Sequence, residues 1–291
     1  MQKVAIVTDS SASIPEKLRA ELDIRLVPFL IQHGDKTWHD LVDIHQEEFY
    51  RWLPTVNVLP TTAYPGPGNF LKVYEELADE GYHDILSIHI TSRSSGAVQG
   101  ATVAASMAEE KLEGVRVKVV DTLNVAMCQG WMAIEAARAA RDGAEFDEIE
   151  ALLQRMIPVT DMIQTADTLK YLHMGGRIGS AKHLIGKMLN IKPLIGMRDG
   201  VIVSLGTERN REKAYKTMVK MVEKAVGPKG KIKVAYVHVA APEEVNKIRI
   251  LLEKRLTCVE SIIAELAPSL GVHSGPGTAG ICYFPAETLE K

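Results

Sequence analysis

The chain reads as an α/β protein of two domains, on three observations. Short apolar runs alternate with stretches of helical spacing through residues 1–160, the pattern of a mostly parallel sheet with helices on both faces. Arg198-Asp199-Gly200, set between apolar runs at 191–196 and 201–205, is a strong hairpin signal that breaks the alternation. It implies a mixed sheet in the second half. At 291 residues the chain is too long for one ordinary core. The expected units are an N-terminal α/β domain over 1–160 and a C-terminal α/β domain with a mixed sheet over 161–291.

Residues 4–7 are wholly apolar and read as a strand ending at Thr8-Asp9-Ser10-Ser11. Residues 14–22 have helical spacing, with Pro15 in a first turn that has no use for its missing N–H. Residues 24–31 read as one strand. Residues 43–53 form a helix with Ile44, Phe49 and Leu53 on one face. Pro and Gly make 61–68 a loop. Helices at 70–80 and 95–111 alternate with strands at 84–90 and 115–120. An Ala-rich helix at 127–142 and another at 146–157 close this half. A strand at 162–165, a helix near 167–172, the Gly175-Gly176-Arg177 turn and an apolar helix near 180–189 follow. Beyond the hairpin come helices at 213–225 and 243–256. Strands are expected at 231–239, at 259–266 (where Glu260 and Glu265 interrupt the apolar pattern) and at 279–284.

Composition narrows the function. Hydrophobic residues at 46% and charged residues at 24% are ordinary for a globular chain. A net charge of −3 argues against nucleic-acid binding through overall basicity. With 5% aromatics and 11 Met the interior is aliphatic and adaptable, as an aliphatic ligand or an ordinary core would both require. Three widely spaced cysteines, Cys128, Cys258 and Cys282, point to a reducing compartment and buried thiols. The opening run is too short for a signal peptide, and no segment approaches the roughly 20 apolar residues of a membrane span. The expected location is cytoplasmic.

In parallel sheets ligands bind beyond the carboxyl ends of the strands. Thr8-Asp9-Ser10, Thr91-Ser92 and Asp121-Thr122 occupy that position, although for Asp9 and Asp121 helix capping is an equal reading. Ser94-Ser95-Gly96 lies between a strand and a helix of small residues. Free N–H groups and the helix dipole favour an anion there, and Gly96 permits close approach. Pro60-Thr61-Thr62-Ala63-Tyr64-Pro65 presents hydroxyls on a stiff loop; a plain turn would look the same. Gly175-Gly176-Arg177 suits a backbone-plus-guanidinium grip on an oxyanion, or a helix C-cap followed by a surface Arg. His273-Ser274-Gly275-Pro276-Gly277 sets a His beside a rigid turn, in a donor or a structural role.

Other matches fail in context. Gly275 to Gly280 fits G-x-G-x-x-G, but only 11 residues follow, too few for a dinucleotide-binding unit. The stretch 179–187 has the wrong spacing for a P-loop, and Met188 stands where Ser or Thr is required. No G-x-S-x-G elbow occurs. His33, His39 and His45, with Asp40 and Asp43, match no helical ligand spacing, and no metal site is expected.

In order along the chain, Thr8-Asp9-Ser10, Thr61-Thr62-Ala63-Tyr64-Pro65, Ser94-Ser95-Gly96, Gly175-Gly176-Arg177-Ile178 and His273-Ser274-Gly275-Pro276-Gly277 resemble the DegV family. The resemblance runs the full length. It implies a two-domain DegV-like fold and a fatty-acid-binding (FakB-type) subunit of a bacterial fatty acid kinase, with one acyl chain held between the domains. It places carboxylate-binding groups at Thr62, Ser95 and Gly96, with Arg177 and His273 nearby. Ala63-Tyr64 departs from the family's usual Ser-Gln, and Ala97-Val98 from its usual Thr-Tyr.

On this reading the protein shields a long-chain fatty acid and presents its carboxylate to a separate kinase, which forms acyl phosphate for phospholipid synthesis. No catalytic residue is expected, and no cofactor besides the bound fatty acid. The candidate tail-lining residues are Met162, Ile163, Leu169, Leu172, Leu184, Ile185, Met188, Leu189 and Ile191. Arg198, Arg209, Arg211, Lys213 and Lys216 form a local basic cluster that would meet the kinase or, transiently, an anionic membrane surface, or would be a solvated face. Two rivals stand: a serine esterase or acyltransferase using Ser95 and His273, and a binder of a phosphorylated small molecule.

Overall fold

The computed structural model describes residues 4–290, with side chains except at 186–190. Met188 and Leu189, expected along the acyl tail, therefore lie outside the described residues. The first half runs β1 (Val4–Asp9), α1 (Glu16–Glu21), β2 (Arg25–Val27), β3 (Leu30–His33), β4 (Lys36–His39), α2 (Gln46–Trp52) and β5 (Thr61–Ala63). It continues with α3 (Pro67–Asp79), β6 (Asp84–His89), α4 (Ala97–Lys111), β7 (Arg116–Asp121), α5 (Met127–Arg141) and α6 (Phe146–Met156). Strands β2-β1-β6-β7 form a parallel sheet. A parallel strand covered on both faces needs a continuous apolar run, and β1 is buried along its whole length. Ala5 and Val7 pack with residues of α3 and α4, while Val4 and Ile6 join α5 and α6 on the opposite face.

The second half runs β8 (Asp161–Thr165), α7 (Lys170–Met174), a 3-10 segment (Gly179–Asn190), β9 (Lys192–Arg198), β10 (Val201–Glu208) and α8 (Arg211–Val226). Then come β11 (Lys231–His238), α9 (Pro242–Leu252), β12 (Thr257–Glu265), α10 (Pro268–Ser274) and β13 (Ala279–Pro285). The sheet order is β10-β9-β8-β13-β11-β12, and it is mixed: β11–β12 is parallel and the other pairs are antiparallel. Asp199 (φ 49°) and Gly200 (φ 77°) both take positive φ in the expected hairpin, as a type I′ turn requires.

Several expectations need correction. Residues 24–31 form two strands in different sheets. Pro28 cannot donate to a ladder, so β2 ends at Val27 and β3 starts a small antiparallel sheet, β4-β3-β5. The stretch read as a loop from residue 61 opens with β5, in which Thr62 pairs with Ile31. The apolar helix near 180–189 is a 3-10 segment. Residues 268–274 form a helix that was not expected, with Pro268 in its first turn. Strand β12 forms despite its acids because it is an edge strand: Glu260 pairs with Arg138 at 2.7 Å and with Lys233 at 3.1 Å.

Helix α5 joins the halves, touching β1 and β6 on one side and β13 on the other. Its alanines allow that closeness. Trp131 meets Phe284 of β13 edge-on, ring centres 5.7 Å apart. Cys128 and Cys282 are buried free thiols, while Cys258 is half-buried. Among the described residues no helix is long and apolar enough to cross a membrane.

Candidate functional site

A cavity of about 330 Å³ lies where the carboxyl ends of β1 and β6 face α7 and α10. That is within the size range of ligand pockets. Both halves of the chain line it. Phe29, Ile90, Val125, Ala126, Met162, Ile195, Ile202, Leu266 and Leu270 make it largely apolar.

All five residues expected near a ligand carboxylate line this cavity: Thr62, Ser95, Gly96, Arg177 and His273. The pairing of β5 with β3 places Thr62. Its hydroxyl lies 2.8 Å from His273 Nε2. His273 stands in the last turn of α10 rather than in the following loop, and Gly275 (φ 76°) ends that helix. The end of α7 presses against it: a Cβ on Gly175 would sit 2.1 Å from His273 Nδ1. Among the described residues Nδ1 has no hydrogen-bond partner. Burial, helped by the Arg177 charge, pushes the imidazole down to about 4, so it is neutral at pH 7.

Ser95, one residue before the Gly96 N-cap of α4, accepts the Ala97 N–H on its Oγ at 3.2 Å, which leaves its own hydrogen available to donate. Arg177 is exposed, and its Nη1 donates to the Gly175 carbonyl at 2.7 Å. Tyr64 lies across the start of α4: a Cβ on Gly96 would be 2.6 Å from its ring, and one on Gly100 3.0 Å. The two glycines form a floor for that ring, which also lines the cavity.

The expected tail residues divide. Met162 and Leu172 line the cavity. Leu169 and Leu184 are buried beside it in a cluster with Leu172 and Ile195, and Ile185 packs on that cluster. Ile163 does not face it. Successive strand residues point to opposite faces, so Ile163 joins α8 and α9 on the far side of β8. Ile191 is half-buried and is not among the lining residues. Sequence reasoning missed Phe29, Ile90, Val125, Leu266 and Leu270, which come from loops and from α10. Their distances along the chain carried no common signal.

The acids at the strand ends are held by backbone N–H groups, and Asp9 caps the short 3-10 turn at Ser10–Ala12, whereas Asp121 caps no helix. Asp9 is fully buried and accepts from the Ser11 N–H at 3.0 Å and the Ile90 N–H at 3.1 Å, with His89 Nδ1 at 2.9 Å. Asp121 accepts the Ser92 and Leu123 N–H groups. The basic cluster is not one free patch. Arg198 is paired with Asp161 at 2.7 Å and Lys216 with Glu212 at 2.5 Å. Arg211 bridges Asp167 at 2.7 Å and the Gly277 carbonyl at 2.6 Å, while Arg209 and Lys213 are exposed. His39 is tied to Asp43 at 2.7 Å, and the His33 ring packs on Trp52.

The model of the DegV family, described as "Uncharacterised protein, DegV family", matches residues 3–286. The chain belongs to the DegV family. It is 32% identical over 283 residues to a DegV domain-containing protein of Caldanaerobacter subterraneus subsp. tengcongensis, spanning 97% of this chain and 99% of that one. It is 30% identical to protein DegV of Bacillus subtilis, spanning 96% of this chain and 98% of that one. Solved structures share the fold. The DegV family protein from Thermus thermophilus, described for its fatty acid binding, gives a TM-score of 0.90 at 29% identity over 97% of this chain and 99% of that one. Bacillus subtilis DegV, described as a fatty acid binding protein, gives 0.86 at 29% identity over 98% and 100%. In this DegV-family chain the matched region includes every cavity-lining residue named above.

Proposed function

We propose that this protein binds a long-chain fatty acid in the cavity between its two halves and presents the carboxylate to a separate kinase. One observation carries the reading: Thr62, Ser95, Gly96, Arg177 and His273 gather on the wall of one largely apolar cavity. The solved relatives described as fatty acid binding proteins support it. A bare carboxylate cannot be buried cheaply. Two hydroxyls and the N-terminus of α4 would satisfy it, and the exposed Arg177 adds positive charge. Each buried methylene contributes about 0.8 kcal/mol. A long chain therefore supplies micromolar or tighter binding after the costs of association.

The rivals fit less well. In an esterase His273 would take the Ser95 proton and an acid would orient its other nitrogen. Here Nε2 faces Thr62, and Nδ1 lies against Gly175 with no partner among the described residues. A binder of phosphorylated metabolites has no use for so much apolar wall.

Native mass spectrometry of the purified protein, followed by denaturing extraction and lipid analysis, tests the binding step. A stoichiometric fatty acid is expected. An empty protein that also refuses added oleate and palmitate would sink the reading. Presentation is tested with an ATP-dependent fatty acid kinase and the loaded protein: acyl phosphate should form only when both are present. Arg209→Glu is the cleaner docking variant, since Arg211 is held inside the fold. It should reduce that coupling while leaving fatty acid affinity unchanged.

A further inference from the structure

A buried amide on the cavity wall is left unused by the carboxylate reading. Gln164 lies on β8 between Met162 and Ala166 in alternation, and all three line the cavity. It is 4% exposed. Among the described residues no side chain or backbone group hydrogen-bonds to its amide. Of the other deep hydroxyls on the wall, Ser11 is committed to Asp9 and Gln129 and Thr278 to the Ser274 carbonyl, while Ser269 Oγ, like the Gln164 amide, has no hydrogen-bond partner among the described residues.

The sheet is shaped around this residue. Gln164 pairs with Gly280 of β13, where a Cβ would lie 2.4 Å from Gln164 Cγ. On its other side it pairs with Ile195. A primary amide has two donors and an acceptor, and burying it unpaired is costly. An unbroken hydrocarbon chain passing over Gln164 would leave the amide unpaired.

We propose that the preferred acyl chain carries a hydrogen-bonding oxygen part-way along its length, a hydroxyl or oxo group, and that Gln164 recognises it. This rests on the fatty-acid reading above and names the class of fatty acid. The amide can donate to an oxo oxygen, and can both donate to and accept from a hydroxyl. A site with a buried hydrogen-bonding group discriminates against analogues that lack the matching oxygen.

The test uses the delipidated full-length protein. Affinities are measured for stearic acid and for a series of monohydroxystearic acids differing in hydroxyl position, in the parent, Gln164→Leu and Gln164→Met. One hydroxyl position should bind the parent about tenfold more tightly than stearic acid. Both variants should lose that preference while binding stearic acid at least as well as the parent. Met keeps the length of the side chain, so a folding defect specific to Leu does not decide the result. A parent that prefers stearic acid to every hydroxy acid overturns the proposal, as does a preference that survives in both variants. Failure of all the acids to bind overturns the fatty-acid reading, and this proposal with it.

Discussion

Gly175→Ala isolates the contact that holds His273 in place. Gly175 has φ −77°, a conformation alanine adopts freely, so the backbone itself does not demand glycine. Space does. The new Cβ would lie 2.1 Å from His273 Nδ1, 2.9 Å from its Cε1 and 3.1 Å from the Tyr171 carbonyl oxygen. The ring must retreat by more than an ångström to restore ordinary contact. The 2.8 Å link from Nε2 to Thr62 cannot survive that shift. Its loss costs about 1 kcal/mol of stability. On the proposed fatty-acid reading the larger effect falls on the ligand, because Thr62 would no longer be oriented toward the carboxylate. A hydrogen bond to a charged group is worth roughly 1.5–3 kcal/mol, so Kd for palmitate should rise roughly 10- to 150-fold. Gly176→Ala is the control. Gly176 has φ 70° and open space around its Cβ position. Alanine there costs about 1–2 kcal/mol in backbone strain without touching His273. Titration calorimetry with palmitate, alongside urea unfolding, separates the two effects. Native affinity in Gly175→Ala, or an equal loss in both variants, would refute the reasoning.

Further expectations follow from the same contacts. Tyr64→Gln should speed fatty acid release, since the ring covers the start of α4; stopped-flow displacement that shows an unchanged rate would remove Tyr64 as a barrier. Arg211→Ala should cost on the order of 1–3 kcal/mol, because it leaves Asp167 and the Gly277 carbonyl without a shared donor, and Arg211→Lys should restore little of a forked contact. Stability should depend on pH through two buried groups of opposite sign. His273, near 4 folded against 6.5 unfolded, binds more protons when unfolded, so its contribution is lost as pH falls through that window; His273→Gln should flatten this limb in urea titrations at stepped pH. Asp40, pushed up to about 6 by burial, holds its proton better when folded, so its contribution is lost as pH rises from about 4 to 6. Asp40→Asn should therefore be the more stable protein at pH 7 and lose that advantage by pH 4; identical curves would show that Asp40 is not an ionised burden.

Local chemistry made much of the molecule legible in its sequence. The apolar run of β1, the Asp199-Gly200 turn and the small-residue helix after Ser95-Gly96 each carry their structural instruction within a few neighbours. The residues proposed for the head group were marked by the DegV resemblance rather than by local chemistry. Taken singly, Thr62, Ser95, Gly96, Arg177 and His273 also read as parts of a plain turn, a helix start, a surface cation or a structural ring, and the fold brings all five to one cavity wall. The tail wall was not legible. Ile163 and Met162 are equally apolar, and only the pairing of β8 with β9 and β13 decides which of them faces the cavity. Phe29 and Leu270 are far apart in the chain and meet on one wall because β3 and α10 pack together. The role of Gly175 was hidden in the same way, since its reason is a ring almost a hundred residues away rather than its own φ. Backbone conformation and capping are short-range and are written where they act. Which apolar surface faces a ligand, and which polar group inside it lacks a partner, depends on long-range packing and exists only once the chain has folded.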